Sequence, residues 1–255
     1  MPDAQHADTS HARAAPGDGS GGRVLAGTSG FAFAEWKGGF YPPDLPNDRL
    51  LSHYAAALPT VEINVSFYRM PTSAMLAAWH AQTPPAFRFA IKAHRRITHQ
   101  KRLRDVDDDL RWLAERTGEL GDRLGPVLFQ LPPSFRRDLG VLERFLVALP
   151  PLPYAAIEFR HASWHDEATY ALLRAHRVAM CIAEDENGCE PLVHTAAWGY
   201  YRLHRLRYDD DRLQAWARHL REQAGLRPAF CYFTHETGPE AVGYARRLME
   251  LVDGA

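Results

Sequence analysis

The chain is short of cysteine, of lysine, of long apolar runs and of any surplus of charge. Its three cysteines among 255 residues, Cys181, Cys189 and Cys231, follow no CxxC spacing. That argues against a disulfide framework and fits a reducing compartment. Cys181 and Cys231 fall in strand-like runs and read as buried, inert thiols. No apolar run approaches the roughly 20 residues of a membrane span, so no membrane partner is expected. Basic residues number 30 and acidic residues 31, a net charge of -1. Without a global field, a nucleic acid can be met only by a local patch. Residues 1–22 have no apolar stretch, which excludes a signal peptide; they read as a disordered tail. A cytoplasmic protein is expected. Residues 23–255 suit one large domain, a length that α/β barrels commonly reach.

After the tail, short apolar runs alternate with longer segments of helical spacing. The runs are Val24–Thr28, Thr60–Asn64, Phe87–Lys92, Pro126–Leu131, Ala155–Phe159, Val178–Ala183, Tyr200–His204 and Ala229–Phe233. Each is of strand length and rich in β-branched, aromatic or other apolar residues. Between them, i, i+3, i+4 spacing predicts helices over Asn47–Leu58, Thr72–Gln82, Asp105–Leu120, Asp138–Leu149, Asp166–His176, Asp209–Ala224 and Pro239–Val252. Thr72, Asp105, Asp138 and Asp166 are the expected N-caps. The sixth crossover, Glu184 to Gly199, is the weakest, with at most one short helix. Strand–helix alternation implies parallel pairing through right-handed crossovers, and eight such units close into a TIM-like (β/α)8 barrel. An open doubly wound sheet is the rival, but GTSGF at Gly27–Phe31 lacks the GxGxxG turn such a sheet would carry.

The polar residues collect at the C-terminal ends of these runs, where barrels place their sites. Glu62 and Asn64 share one face of the second run. Lys92 ends the third in phase with Ala90, and Gln130 ends the fourth in phase with Leu128. Glu158 and Arg160 share a phase, and His161 follows. Arg202 and His204 share a phase on the seventh, and Thr234 and His235 follow the eighth. A charge inside a strand is costly unless paired, so the ring reads either as a site or as ion pairs plugging the barrel.

Lysine occurs only at 37, 92 and 101, while arginine is abundant. A lysine kept at a strand end is either an ion-pair partner for Glu62 or a functional amine able to lose its proton when buried. Phe31, Phe33, Trp36, Phe40 and Tyr41 crowd the loop after the first run; Phe31, Phe33 and Phe40 read as packing. Tyr68 and Trp164 adjoin charged residues and are candidates for a ligand wall. HRRITHQKRLR, His94–Arg104, is a dense basic patch that would suit phosphate or a nucleic-acid backbone. It is equally a solvated loop balanced by Asp105, Asp107, Asp108 and Asp109. Glu62, Glu158, His161, His204 and His235 are ligand types, yet no HxH or HExxH spacing indicates a metal site. No GxSxG elbow exists. Cofactor and oligomeric state have no signature.

GTSGFAFAEWKGGFYP, TVEINVSFYRMPT, FRFAIKAHRRITHQKRL, LGPVLFQLPPSF, EFRHASW and YYRLH, in this order, resemble the YecE-like family, the domain of unknown function numbered 72. The resemblance implies a TIM-barrel-like fold and a cytosolic, mostly bacterial protein. It carries no established activity. By position, the family's polar motif residues are Glu62, Asn64, Ser66, Tyr68, Arg69, Lys92, His99, Gln130, Glu158, Arg160, His161, Trp164, Arg202 and His204. The chain departs from the family pattern in three places. Arg205 stands where glycine is usual, Thr234-His235-Glu236 replaces an asparagine-rich turn, and the acidic residue after the sixth strand is Glu184 or Asp185.

These residues lead to an enzyme, a hydrolase or a lyase, acting on a small anionic or phosphate-bearing substrate. Glu62, Lys92, Glu158 and His161 are its expected catalytic groups, with Glu158 or Glu62 as general acid or base. Asn64, Tyr68, Arg69, Gln130, Arg160, Trp164, Arg202 and His204 are the expected binding groups. One alternative is a nucleic-acid-binding or nuclease-like protein using loop 94–104. Another is a ligand-binding barrel without turnover.

Overall fold

The computed structural model describes residues 24–223, 225, 228–234 and 238–254. The expected tail at 1–22 and His235 lie outside the described residues. Eight parallel strands form the barrel: β1 (Val24–Thr28), β2 (Thr60–Ile63), β3 (Arg88–Lys92), β4 (Leu124–Gln130), β5 (Tyr154–Glu158), β6 (Ala179–Asp185), β7 (Gly199–Leu203) and β8 (Ala229–Phe233). Each pairs with the next, and β8 pairs with β1, which closes the ring. Seven helices cover it: α1 (Leu50–Ala57), α2 (Ser73–Gln82), α3 (Asp107–Gly118), α4 (Leu139–Ala148), α5 (Glu167–Ala175), α6 (Asp210–Glu222) and α7 (Glu240–Asp253).

Strand parity divides the core in two. Val61, Ile63, Phe89, Ile91, Val127, Phe129 and Ile157 point out and pack under the helices. Leu25, Ala90, Leu128, Ala156, Cys181, Tyr200, Phe230 and Tyr232 point in and fill the barrel. Small residues on β3, β5 and β6 make room for the rings: Tyr154 lies 5.4 Å from Phe230, and Tyr200 lies 5.3 Å from Tyr232. The interior is therefore a packed core below the mouth, not a pore. At Gly27, a Cβ would sit 2.0 Å from the Thr60 carbonyl oxygen, so β1 can pair with β2 only through glycine.

Thr72, Asp138 and Asp166 cap their helices by accepting from Met75, Val141 and Thr169 backbone N–H groups at 3.3, 3.0 and 2.8 Å. Asp209 does the same for α6 at 2.9 Å. Asp105, in contrast, caps nothing, and α3 starts later, at Asp107. The basic stretch interposes a π-helical turn at Arg96–Gln100. It then turns through left-handed Arg102, Leu103 and Asp105, with φ of 49°, 65° and 52°. Burial of Leu103 and a bond from Lys101 Nζ to the Asp105 carbonyl hold this turn. The sixth crossover has no helix. The chain turns back over Glu186-Asn187, pairing Asp185 with Gly188 and Glu184 with Cys189 in a short antiparallel hairpin. Gly188 supplies the positive φ, 142°, that such a turn needs.

No helix among the described residues is long and apolar enough to cross a membrane.

Candidate functional site

The inward series of β2, β3, β4, β5 and β7 end in Glu62, Lys92, Gln130, Glu158 and Arg202, and these five meet at the C-terminal mouth. Arg202 is the hub. Its Nε and Nη2 donate to Glu62 Oε1 and Oε2, each at 3.0 Å, and its Nη1 donates to Glu158 Oε2 at 2.9 Å. All three groups are buried. The planar guanidinium thus grips one carboxylate with a two-pronged fork and bridges to the second.

The carboxylates are also saturated by neutral donors. Glu62 accepts from Tyr200 Oη and Ser29 Oγ at 2.8 Å and from Asn64 Nδ2 at 3.2 Å. Glu158 accepts from Gln130 Nε2 at 2.8 Å to both oxygens and from Arg160 Nε at 2.7 Å. Burial alone would push both acids up. For Glu62 it is outweighed by the Arg202 charge and by these bonds, and the carboxyl rests at about 2. For Glu158, Arg202, Arg160 and Gln130 have the same effect, again to about 2. At neutral pH both are fixed anions whose lone pairs are occupied. A carboxyl that stays ionised down to about 2 has no proton to give as a general acid near neutral pH.

Lys92 is different. Its Nζ lies 4.5 Å from the centre of the Phe67 ring, over the face. Among the described residues no carboxylate is within 4.0 Å of it, so the expected pairing with Glu62 is absent. Burial, reinforced by Arg202 and only partly offset by Glu62 and Glu158, brings the ammonium down to about 8. Beside it, His99 packs against the other edge of Phe67 at 4.8 Å; burial and the Lys92 charge lower its proton affinity. Arg160 is half-exposed and uses only Nε on Glu158; among the described residues its two Nη groups make no hydrogen bond.

His204 Nε2 is 3.0 Å from Ser29 Oγ. The serine proton goes to Glu62, so the imidazole must donate to the hydroxyl. This is the reverse of a nucleophilic triad, in which histidine accepts the serine proton. Burial and the Arg202 charge hold His204 neutral, at about 3.

Other expected site residues lie elsewhere. Trp164 is fully buried, stacked 4.8 Å from Phe159, with Nε1 donating to the Phe135 carbonyl, so it supports the wall from behind. His161 Nδ1 accepts from Ser163 N–H and caps a single turn. Ser66 is buried and ties the Ile63 and Lys92 carbonyls. Tyr68 and Arg69 are exposed on the rim. Glu184 faces outward into a second network with Arg212, Tyr208 and Trp216, away from the ring. In the basic loop, Arg96 and Lys101 both pair with Asp109, and Arg104 pairs with Asp138. Much of its charge is thereby neutralised within the fold. No group of three metal-ligating side chains is assembled among the described residues.

Three residues of the mouth escape the sequence reading. Ser29 lies one residue past β1, and Tyr200 shares the inward phase of Arg202, a signal that parity does carry. Glu190 follows the Asn-Gly hairpin. It lines a cavity of about 530 Å³ with Glu158, Arg160, His165, Arg202 and His204.

Eight parallel strands and a charged mouth define the protein as a TIM-like (β/α)8 barrel. The chain belongs to the family described as "Protein of unknown function DUF72", whose model matches residues 25–255. It is similar to the UPF0759 protein YunF of Bacillus subtilis, 25% identical over 255 residues, covering 84% of this chain and 90% of that one. A shorter match, 36% identical over 112 residues, links it to the UPF0759 protein YecE of Escherichia coli, across 44% of this chain and 41% of that protein. A solved family member from Thermotoga maritima has a TM-score of 0.75 at 26% identity, covering 91% of this chain and 99% of its own. One from Enterococcus faecalis, 17% identical, also has a TM-score of 0.75, over 90% and 95%. The latter likeness concerns the fold alone.

Proposed function

We propose that the barrel mouth is the active site of an enzyme that binds a small carboxylate- or phosphate-bearing substrate between Lys92 and Arg160. One observation carries this reading. Both ring carboxylates are committed to arginines, while among the described residues the Lys92 ammonium has no carboxylate partner within 4.0 Å. Two carboxylates facing three cations leave positive charge uncompensated in a partly dry site, where an anion gains most. The open Nη groups of Arg160 have the planar geometry that grips a carboxylate or phosphate with two parallel bonds. Lys92, titrating at about 8, supports proton exchange with a bound substrate near neutral pH. Glu62 and Glu158 hold the arginines in register.

Sulfate is a suitable probe because its charge is constant near neutral pH. Calorimetric titration is expected to show binding that weakens at least about ten-fold in Lys92→Ala and in Arg160→Ala. Equal affinity in all three proteins overturns the reading. Turnover of a panel of phosphate esters and carboxylates separates an enzyme from a barrel that only binds. The enzyme loses turnover in Lys92→Ala, whereas a binding barrel turns over nothing.

A further inference from the structure

The hairpin that replaces the sixth helix brings a third carboxyl group to the mouth. Glu190 is held by a backbone bond from its N–H to the Ala183 carbonyl at 2.9 Å. Its side chain lines the 530 Å³ cavity beside Arg160. Its Oε2 is buried and takes no hydrogen bond among the described residues. That sets it apart from Glu62 and Glu158, whose oxygens are all occupied by donors. A buried carboxylate without donors is costly, whereas a protonated carboxyl in the same place is not. Burial, with the Glu158 carboxylate and Asp185 nearby, accordingly pushes Glu190 up to about 8, although Arg160 opposes the shift.

We propose that Glu190 is a substrate-contacting residue of this site, its protonated carboxyl donating a hydrogen bond to an oxygen of the anion held by Arg160. The inference rests on the anion-site reading above and adds a second group that meets the anion within the same cavity. A neutral acid and a cation lining one cavity suit an oxyanion with several acceptors, such as a phosphate ester or a carboxylate. Unlike Glu62 and Glu158, Glu190 holds a proton near neutral pH that it can pass to a leaving oxygen.

The groups facing Glu190 come from three elements. From the end of β5 and the turn after it come Glu158, Arg160 and His165. From β6 and the hairpin come Asp185 and Cys189, while Glu184 turns its carboxylate outward to Arg212, Tyr208 and Trp216. From β7 come Arg202 and His204. Burial keeps His165 and His204 neutral and the Cys189 thiol protonated near neutral pH, and Glu158 stays ionised. Lys92 titrates in the same range as Glu190, so its charge is fixed by Lys92→Arg in one arm of the test.

The sign of one substitution decides. At about pH 6.5, Glu190→Ala is expected to weaken sulfate binding about three- to ten-fold, the loss of one neutral hydrogen bond. In the Lys92→Arg background at about pH 9.5, where Glu190 is ionised and repels the anion, the same change should strengthen binding. In the same Lys92→Arg background, Glu190→Gln, which keeps an N–H donor and cannot ionise, should bind with little dependence on pH. If Glu190→Ala leaves binding unchanged or tightens it at the lower pH, the carboxyl is not a donor and the proposal falls. If sulfate binding responds to Glu190→Ala but not to Lys92→Ala, the Lys92 reading fails and this one stands. If sulfate binds neither the wild type nor any variant, both fall.

Discussion

Replacing Arg202 by methionine removes the one cation that two buried carboxylates share. Glu62 and Glu158 sit at about 2 instead of 4.5 because Arg202, with its neighbours, overcomes their burial. A difference of about 2.5 units at about 1.36 kcal/mol each is roughly 3 kcal/mol per carboxylate. Not all of it is lost, because Ser29, Tyr200 and Asn64 still serve Glu62, and Gln130 and Arg160 still serve Glu158. Breaking a buried pair from one side costs about 3–5 kcal/mol, which for a domain of this size lowers Tm by very roughly 6–20 °C. The pH dependence should change sign as well. In the wild type the depressed acids contribute stability that is present above about 4.5 and lost as pH falls toward about 2, so the profile between about pH 7 and 5 is flat for them. In Arg202→Met, burial dominates, both acids rise above their ordinary value, and stability grows as pH falls from about 7 to 5. Urea unfolding at several pH values reads both effects. Adding Glu62→Gln and Glu158→Gln to Arg202→Met removes the stranded charges and should restore much of the loss. A loss under about 1 kcal/mol with a flat profile, or no recovery in the triple variant, refutes the hub assignment.

Other outcomes follow from single residues. Lys92 holds its proton less tightly than an exposed lysine, at about 8 against 10.5, so it should make wild-type stability rise with pH between these values. Lys92→Met should lack that rise in an unfolding series and be no less stable at neutral pH, while losing sulfate binding. Gly27→Ala sets a methyl group 2.0 Å from the Thr60 carbonyl, and should prevent β1 and β2 from pairing; circular dichroism that matches the wild type would contradict this. Titration with a duplex oligonucleotide at physiological salt should be flat, because Asp109 and Asp138 already hold Arg96, Lys101 and Arg104. Binding that weakens steeply with salt would restore the loop as a nucleic-acid surface.

The barrel was legible because its two periodicities are clean. Runs such as Arg88–Lys92 carry a period of two, and caps such as Asp138 and Asp166 mark where the helices begin. Parity along the strands also brought Glu62, Lys92, Gln130, Glu158 and Arg202 together, since a parallel barrel places all C-terminal strand ends at one mouth. The divisions of labour among them were not legible. Whether Lys92 pairs with Glu62 depends on which side chain Arg202 reaches first, a matter of side-chain length and register across four strands. Adjacency to charged residues and the family motif place Trp164 and His161 at the mouth, but one turn of helix after β5 rotates Trp164 into the core and leaves His161 as its cap. Asp105 looked like a cap because its residue type is right, and it failed because three left-handed residues reroute the chain before α3. Glu190 was hidden in the segment with the weakest helical signal. The Asn187-Gly188 dipeptide was the local cue that this crossover is a hairpin.

The central claim is that Lys92 is a half-buried amine waiting for an anion, not a member of an internal ion pair. Its titration, followed by NMR on the lysine side chain, tests this most directly, because only three lysines are present. Lys92 should titrate near 8, against an ordinary value of 10.5, and its midpoint should climb when sulfate is added. A midpoint at or above the ordinary value, unmoved by sulfate, would show that a carboxylate already holds the charge, and would contradict the account.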